Sequence, residues 1–259
     1  SWHAVGVTEG ENPAAADFLI RAAGTPPLFT IHYSLFTTHY PPPPPVHSFT
    51  KGGITMEALA QQLAAAIQKR LFIELEASGR HVHLTKEAAQ TLFGHSLTPD
   101  RPLSQPGQFV AKERVSLITP KGRFDRVAVL GPERKACQVE LSKTDCVALG
   151  LNVPIRLSGD TKNTPGIVIA NGDRVVTLQS GVIVAQRHLH MTPEDAEKRG
   201  VKNGDSVRLR VLTDRPLVFD RVAVRVSPDF RTYAHLDFDE ANACDFHKGD
   251  LGMILCRRN

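Results

Sequence analysis

Long apolar runs are missing from this chain. None approaches the roughly 18–20 residues that a membrane-spanning helix needs, so no membrane span is expected. Cysteine is sparse: four are scattered over 259 residues, at Cys137, Cys146, Cys244 and Cys256, with no Cys-x-x-Cys pair. They read as small core residues of a reduced, cytosolic protein, and no disulfide framework is expected. Charge imbalance is slight as well. A formal net charge of +4 is too mild to point to nucleic acid, although it suits a small anionic ligand. The N-terminus lacks a basic stretch followed by an apolar one, so no secretory signal is expected. The length leaves room for two modest domains and a sizeable core.

Against these absences stands a duplication. Arg80-His81-Val82-His83-Leu84-Thr85 recurs as Arg187-His188-Leu189-His190-Met191-Thr192. In an extended strand alternate side chains share a face, so both histidines of each His-x-His point the same way. Two such imidazoles can hold one metal ion if a third ligand arrives from elsewhere. After each copy, Thr85 to Gly94 and Thr192 to Gly200 read as a short helix, with Thr at the N-cap, acidic residues in the first turn and Gly at the exit. Pro193 at the first helical position strengthens the second. Further on, Phe124-Asp-Arg-Val-Ala-Val129 returns word for word as Phe219-Asp-Arg-Val-Ala-Val224. Laid over each other without a gap, these stretches bring Glu140 opposite His235.

Each copy therefore offers three candidate ligands: His81, His83 and Glu140 in the first, His188, His190 and His235 in the second. Three protein ligands leave a coordination position open, as in catalytic zinc sites. Imidazole favours zinc without excluding iron, copper or cobalt. Of the other histidines, His3, His32, His39 and His47 lie near the N-terminus, while His95 and His247 stand alone. A competing assignment exists. His81-Val-His83 followed by Glu87, and His190 followed by Glu194, resemble the His-x-His-x(3–4)-Glu metal motif of cupin barrels, which would put those two glutamates on the metals. Both sit at helix openings, where the helix dipole explains a carboxylate, and Pro193 cannot continue a central strand.

In chain order, residues 1–53 read as a flexible proline-rich arm around Pro41 to Pro45, with Met56 as a possible natural start. Residues 54–71 form an amphipathic helix, with Met56, Leu59, Ala60, Leu63, Ala64, Ile67 and Leu71 on one stripe. The first repeat occupies residues 72–160, including a hairpin around Pro-Lys-Gly at 120–122. A turn-rich linker follows, and the second repeat spans residues 166–247, with one strand running from Gly181 to Met191. Residues 248–259 form an uninformative tail. Many short strands with only short helices predict a mainly β protein of two duplicated β-barrel-like halves, with short capping helices.

Over about Ser78 to Phe246 the chain resembles the propanediol-utilisation phosphotransacylases, the phosphate propanoyltransferases. The resemblance rests on both His-x-His stretches, Leu103-Ser-Gln-Pro-Gly-Gln-Phe109, Val129-Leu-Gly-Pro-Glu-Arg134, Gln138-Val-Glu140, Ser158-Gly-Asp160 and Asp239-Glu-Ala-Asn-Ala243. It implies two β-barrel halves holding two zinc ions on the six ligands above. It also implies a phosphate-binding Arg134, and coenzyme A contacts near Ser78, Gly79, Lys121 and Asn242. Ala128 stands where the family has an Arg that helps to hold coenzyme A. Relatives destined for bacterial microcompartments often carry an amphipathic N-terminal helix as an encapsulation peptide, to which the 54–71 helix is similar. Shell proteins are thus an expected partner, and the microcompartment lumen or the cytoplasm the expected location. A homo-oligomer is also expected, with no nucleic-acid or membrane partner.

The reaction implied is acyl-CoA (propanoyl-CoA) plus phosphate giving acyl phosphate plus coenzyme A. No Ser-His-Asp or Cys-His arrangement is visible, which favours direct attack by phosphate over an acyl-enzyme. Cys137 is the nearest candidate nucleophile by sequence and reads as a core thiol. Two further readings stay open: a cupin-like or hydrolytic metalloenzyme using a metal-bound water, and a non-catalytic microcompartment-associated protein.

Overall fold

The computed structural model describes residues 55–255; the expected arm over residues 1–53 lies outside that range, as do residues 256–259 of the tail. The described chain opens with α1 (Met56–Leu71), β1 (Ile73–Ser78), β2 (His81–His83), α2 (Lys86–Phe93), β3 (Pro99–Pro102), β4 (Phe109–Ile118) and β5 (Arg123–Gly131). It continues with β6 (Gln138–Leu141), α3 (Lys143–Leu149), β7 (Ile155–Arg156), β8 (Ile167–Asn171), β9 (Arg174–Leu178) and β10 (Val182–Ala185). It ends with β11 (His188–Met191), α4 (Pro193–Lys198), β12 (Ser206–Leu212), β13 (Val218–Val226), β14 (Tyr233–Asp237), α5 (Phe238–Ala243) and β15 (Leu251–Leu255).

The protein is mainly β. Six strands close a barrel in the order β1-β14-β11-β13-β12-β15. The others form a nine-stranded sheet in the order β7-β10-β6-β2-β5-β4-β8-β9, with β3 on β4. Period-2 alternation builds each core. Val207, Leu209 and Val211 of β12 turn inward between exposed neighbours. They join Leu75, Leu189, Met191 and Leu236 inside the barrel. Val82, Leu92, Leu117, Val129 and Ile169 fill the core of the larger sheet. Truncating a fully buried leucine such as Leu189 to Ala would cost about 2–5 kcal/mol.

The short helices follow their caps. The Thr85 and Thr192 hydroxyls accept from Ala88 N and Asp195 N, and Gly94 closes α2 in the left-handed conformation at φ 81°. Reading the sequence locates neither α3 nor α5. Each is opened by a capping box, Ser142 with Asp145 and Asp237 with Glu240. On α1 the large apolar residues of the expected stripe are exposed: Leu59, Leu63, Ile67 and Leu71 are 49, 59, 48 and 50 % exposed.

The strand preceding each His-x-His belongs to the opposite sheet. β1, which the sequence groups with the first repeat, pairs in parallel with β14 and antiparallel with β15 in the barrel. β10, grouped with the second repeat, pairs in parallel with β6 and β7 in the larger sheet. The expected strand from Gly181 to Met191 is therefore two strands, broken at Gln186 and Arg187, and the tail contributes barrel strand β15. Packing explains the exchange. Ile73 and Leu75 are 1 % and 2 % exposed only because the barrel core encloses them. Val182, Ile183 and Val184 of β10 are buried on both faces, as parallel strands usually are. Both crossovers, at Ser78 to Arg80 and at Gln186 to Arg187, lead straight into the histidines.

Candidate active site

Alternation along β2 sends Val82 into the core and both His81 and His83 to the opposite face; β11 does the same with Leu189, His188 and His190. The third member of each set comes from the antiparallel neighbour. His81 lies in register with Glu140 across β2 and β6, and His188 with His235 across β11 and β14. The gap-free overlay of the two copies is thus reproduced in the strand pairing. Within each triad the candidate ligand atoms all lie within 4.8 Å of one another.

Backbone carbonyls orient three of the imidazoles. His81 Nδ1 is 2.8 Å from the Gly79 carbonyl oxygen, and His188 Nδ1 is 2.8 Å from that of Gln186. A carbonyl only accepts, so both rings donate through Nδ1 and keep a lone pair on Nε2. His83 Nδ1 makes the same kind of contact with Leu130 O at 3.3 Å. In the barrel triad, both ring nitrogens of His190 and Nε2 of His235 are buried without a hydrogen-bond partner. Such orphaned buried polar atoms are costly unless something binds them. In the other triad, Glu140 oxygens lie 3.6 Å from His81 Nε2 and 3.9 Å from His83 Nε2. Ligand atoms placed tetrahedrally about 2.0–2.2 Å from a zinc ion would be about 3.3–3.6 Å apart, close to the spacing around Glu140, and the donor set of each triad could hold such an ion.

Both triads line one cavity of about 460 Å³ between the barrel and the larger sheet. Arg134 also lines it, donating to Ser158 Oγ at 3.2 Å, and so do Ser78, Gly79 and Ala128. Lys121 and Asn242 do not line it. Lys121 sits in the β4–β5 turn with its stem against Gly150, and Asn242 is exposed on α5, whose first residue Phe238 borders the cavity. Glu87 is exposed at the start of α2, and Glu194 is ion-paired to Lys198 at 2.5 Å. Neither belongs to a triad, which removes the cupin-like assignment.

Comparison with known proteins gives the family. The family model for phosphate propanoyltransferase matches residues 74–247. The chain is 52 % identical over 205 residues to a phosphate propanoyltransferase of Enterococcus faecalis, covering 78 % of this chain and 97 % of the relative. It is 54 % identical over 185 residues to the one of Listeria monocytogenes, covering 71 % and 87 %. With the one of Clostridioides difficile it shares 48 % identity over 202 residues, covering 77 % and 97 %. The chain belongs to the phosphate propanoyltransferase family. It is an acyltransferase.

In this phosphate propanoyltransferase-family chain, burial sets the charge state of the site. It pulls His83, His188 and His235 below the usual imidazole range and takes His190 down to about 3, with neighbouring cationic groups adding to the effect. Burial also opposes charge on His81, but the Glu140 carboxylate and the Gly79 carbonyl outweigh it and raise that pKa. Glu140 is pushed up by burial, yet His81, His83 and the Ser158 hydroxyl hold it well below the carboxylate range. The site thus offers a carboxylate at Glu140 and imidazoles at His83, His188, His190 and His235 whose neutral form is favoured, the forms a metal ion needs.

Several cavity residues escape the sequence reading. Glu76 of β1 places Oε2 3.2 Å from His235 Nδ1 and accepts from Ser104 Oγ at 2.5 Å. Gln105 is buried and clasps the backbone of Arg231, donating to its carbonyl at 3.2 Å and accepting from its N–H at 3.1 Å. Phe230, one residue earlier, lies 4.1 Å from His190 between ring centroids. Arg225 lines the cavity from β13, in register with His190. Cys137 is half-buried, accepts from Thr85 N at 3.3 Å and does not line the cavity.

Proposed function

We propose that this acyltransferase interconverts propanoyl-CoA and phosphate with propanoyl phosphate and coenzyme A, with zinc ions held by His81, His83 and Glu140 and by His188, His190 and His235. One observation carries the reading: both ligand triads and Arg134 converge on a single cavity. Bound there, the ions would supply Lewis-acid stabilisation of developing oxygen charge. Arg134 takes phosphate by its planar fork and, anchored by Ser158, orients one phosphate oxygen towards the thioester carbonyl. The new C–O bond forms as the C–S bond breaks, and the proton of hydrogen phosphate ends on the coenzyme A sulfur. With Cys137 off the cavity, direct attack by phosphate needs no acyl-enzyme.

Coenzyme A is proposed to enter along Ser78 and Gly79, which border the cavity, and to reach out towards Asn242 and Lys121. The exposed stripe of α1 supports docking on microcompartment shell proteins as a helix in a groove. A homo-oligomer in the microcompartment lumen or the cytoplasm completes the proposal. The test is release of coenzyme A from acetyl-, propanoyl- and butanoyl-CoA, with and without phosphate. Release that depends on phosphate supports the transferase. Equal release without phosphate would make the protein a hydrolase.

A further inference from the structure

Arg225 is a cation that the proposed reaction leaves without a task. It sits on β13, where Val222 and Val224 turn into the barrel core. Alternation therefore sends Ala223 and Arg225 to the face of the histidines, opposite His188 and His190 in the β11 register. The guanidinium carbon lies 5.8 Å from the centroid of the Phe230 ring, and the side chain borders the cavity together with Arg134 and Glu140.

The other arginines beside the histidine strands are paired. Arg80 is bound to Asp145 and Arg187 to Glu240, while Arg134 donates to Ser158. Among the described residues, no oxygen accepts a hydrogen bond from Arg225. Arg225 borders the cavity from a half-buried position, and a guanidinium partly removed from water needs an anion to offset that loss. Glu140 cannot be that anion alone, because two histidines and Ser158 already face its oxygens.

The duplication sharpens the point. In the gap-free overlay Arg225 stands opposite Leu130, and Arg134 stands opposite Asp229. Duplication therefore does not account for this pair of cations. Arg80, Arg101 and Arg134 line the cavity from the first copy, and Arg225 lines it from the second.

We infer that Arg225 is a second binding residue for the phosphoryl group, gripping from the barrel side the anion that Arg134 holds from the larger sheet. Its ligand is inorganic phosphate in one direction and the phosphoryl end of the acyl phosphate in the other. The inference rests on the reading of the site as a phosphate acyltransferase. Two guanidinium forks around one phosphate fix its rotation as well as its position.

The experiment uses the metal-loaded full chain with R225Q and R225K. Metal content, KM for phosphate, KM for propanoyl-CoA and calorimetric titration with inorganic phosphate are measured for each. R225Q is expected to raise the phosphate KM about tenfold or more, the loss of a charge-assisted pair of hydrogen bonds, and to weaken calorimetric phosphate binding in parallel. KM for propanoyl-CoA and metal content should stay within twofold of wild type. R225K, which keeps the charge and loses the fork, should fall between the two and decides the matter if R225Q does not fold. An unchanged phosphate KM in R225K and in any folded R225Q overturns the inference, as does a change confined to propanoyl-CoA, which would give Arg225 to coenzyme A. The wild-type assay separates the two levels. If its coenzyme A release is independent of phosphate, the transferase reading itself falls. If release depends on phosphate and Arg225 is silent, only the inference falls.

Discussion

Arg80 donates through Nε to Asp145 Oδ1 at 3.0 Å, tying the first His-x-His strand to the capping box of α3. The second copy repeats the device: Arg187 donates to Glu240 at 2.5 Å, and Glu240 belongs to the capping box of α5. Each guanidinium also lies over the Phe of the repeated hexapeptide, Phe124 at 4.2 Å and Phe219 at 5.6 Å. The Arg before each histidine pair and the Phe that opens each hexapeptide are therefore parts of one clamp. It fixes where the histidines start.

Metal analysis should find two ions per chain. His81→Ala and His190→Ala should each lose one ion and nearly all activity. Glu140→Gln should weaken the first site alone, whereas Glu87→Gln and Glu194→Gln should leave both filled. One ion or none in fully active protein would refute the two-site reading.

Arg134→Lys should keep the fold and both ions but raise the phosphate KM by about an order of magnitude, because a point charge replaces a bidentate fork. Steady-state kinetics with phosphate as the varied substrate check this. Unchanged kinetics would remove Arg134 from the site.

Glu76→Gln should lower metal affinity at the barrel triad by about 10–100-fold, as loss of a carboxylate behind a ligating imidazole does elsewhere. Competition against a chelator with a colorimetric readout measures it. The first triad should be unaffected, and equal weakening of both sites would show a general loss of structure.

Deleting residues 1–71 should leave the melting temperature within a few degrees and phosphate-dependent activity intact. The large apolar side chains of α1 are about half exposed, whereas those of a core helix would cost about 2–5 kcal/mol each on removal. Aggregation or a large fall in melting temperature would place the helix in the core.

The six ligand candidates were legible because the sequence contains its own comparison: two copies of one pattern single out Glu140 and His235 without any structure. Arg225 was not, because its counterpart is Leu130, and a lone Arg on a strand looks like any solvated edge. Glu76 was hidden for a different reason. Its neighbour His235 is set by the pairing of β1 with β14, and nothing local distinguishes a strand that completes its own sheet from one that completes the other. α3 and α5 carry capping-box spacings but are too short for an apolar period to announce them.

The exchange of β1 and β10 has a consequence for how the molecule forms and fails. Neither sheet can finish until chain from both copies is present, so the pairings that complete them join residues far apart in sequence. Such closure is entropically costly and slow, and it leaves little room for one half to melt while the other survives. Unfolding should follow a single cooperative transition. For catalysis the exchange acts as a lock rather than a hinge: the two histidine clusters cannot drift apart without pulling strands out of both sheets.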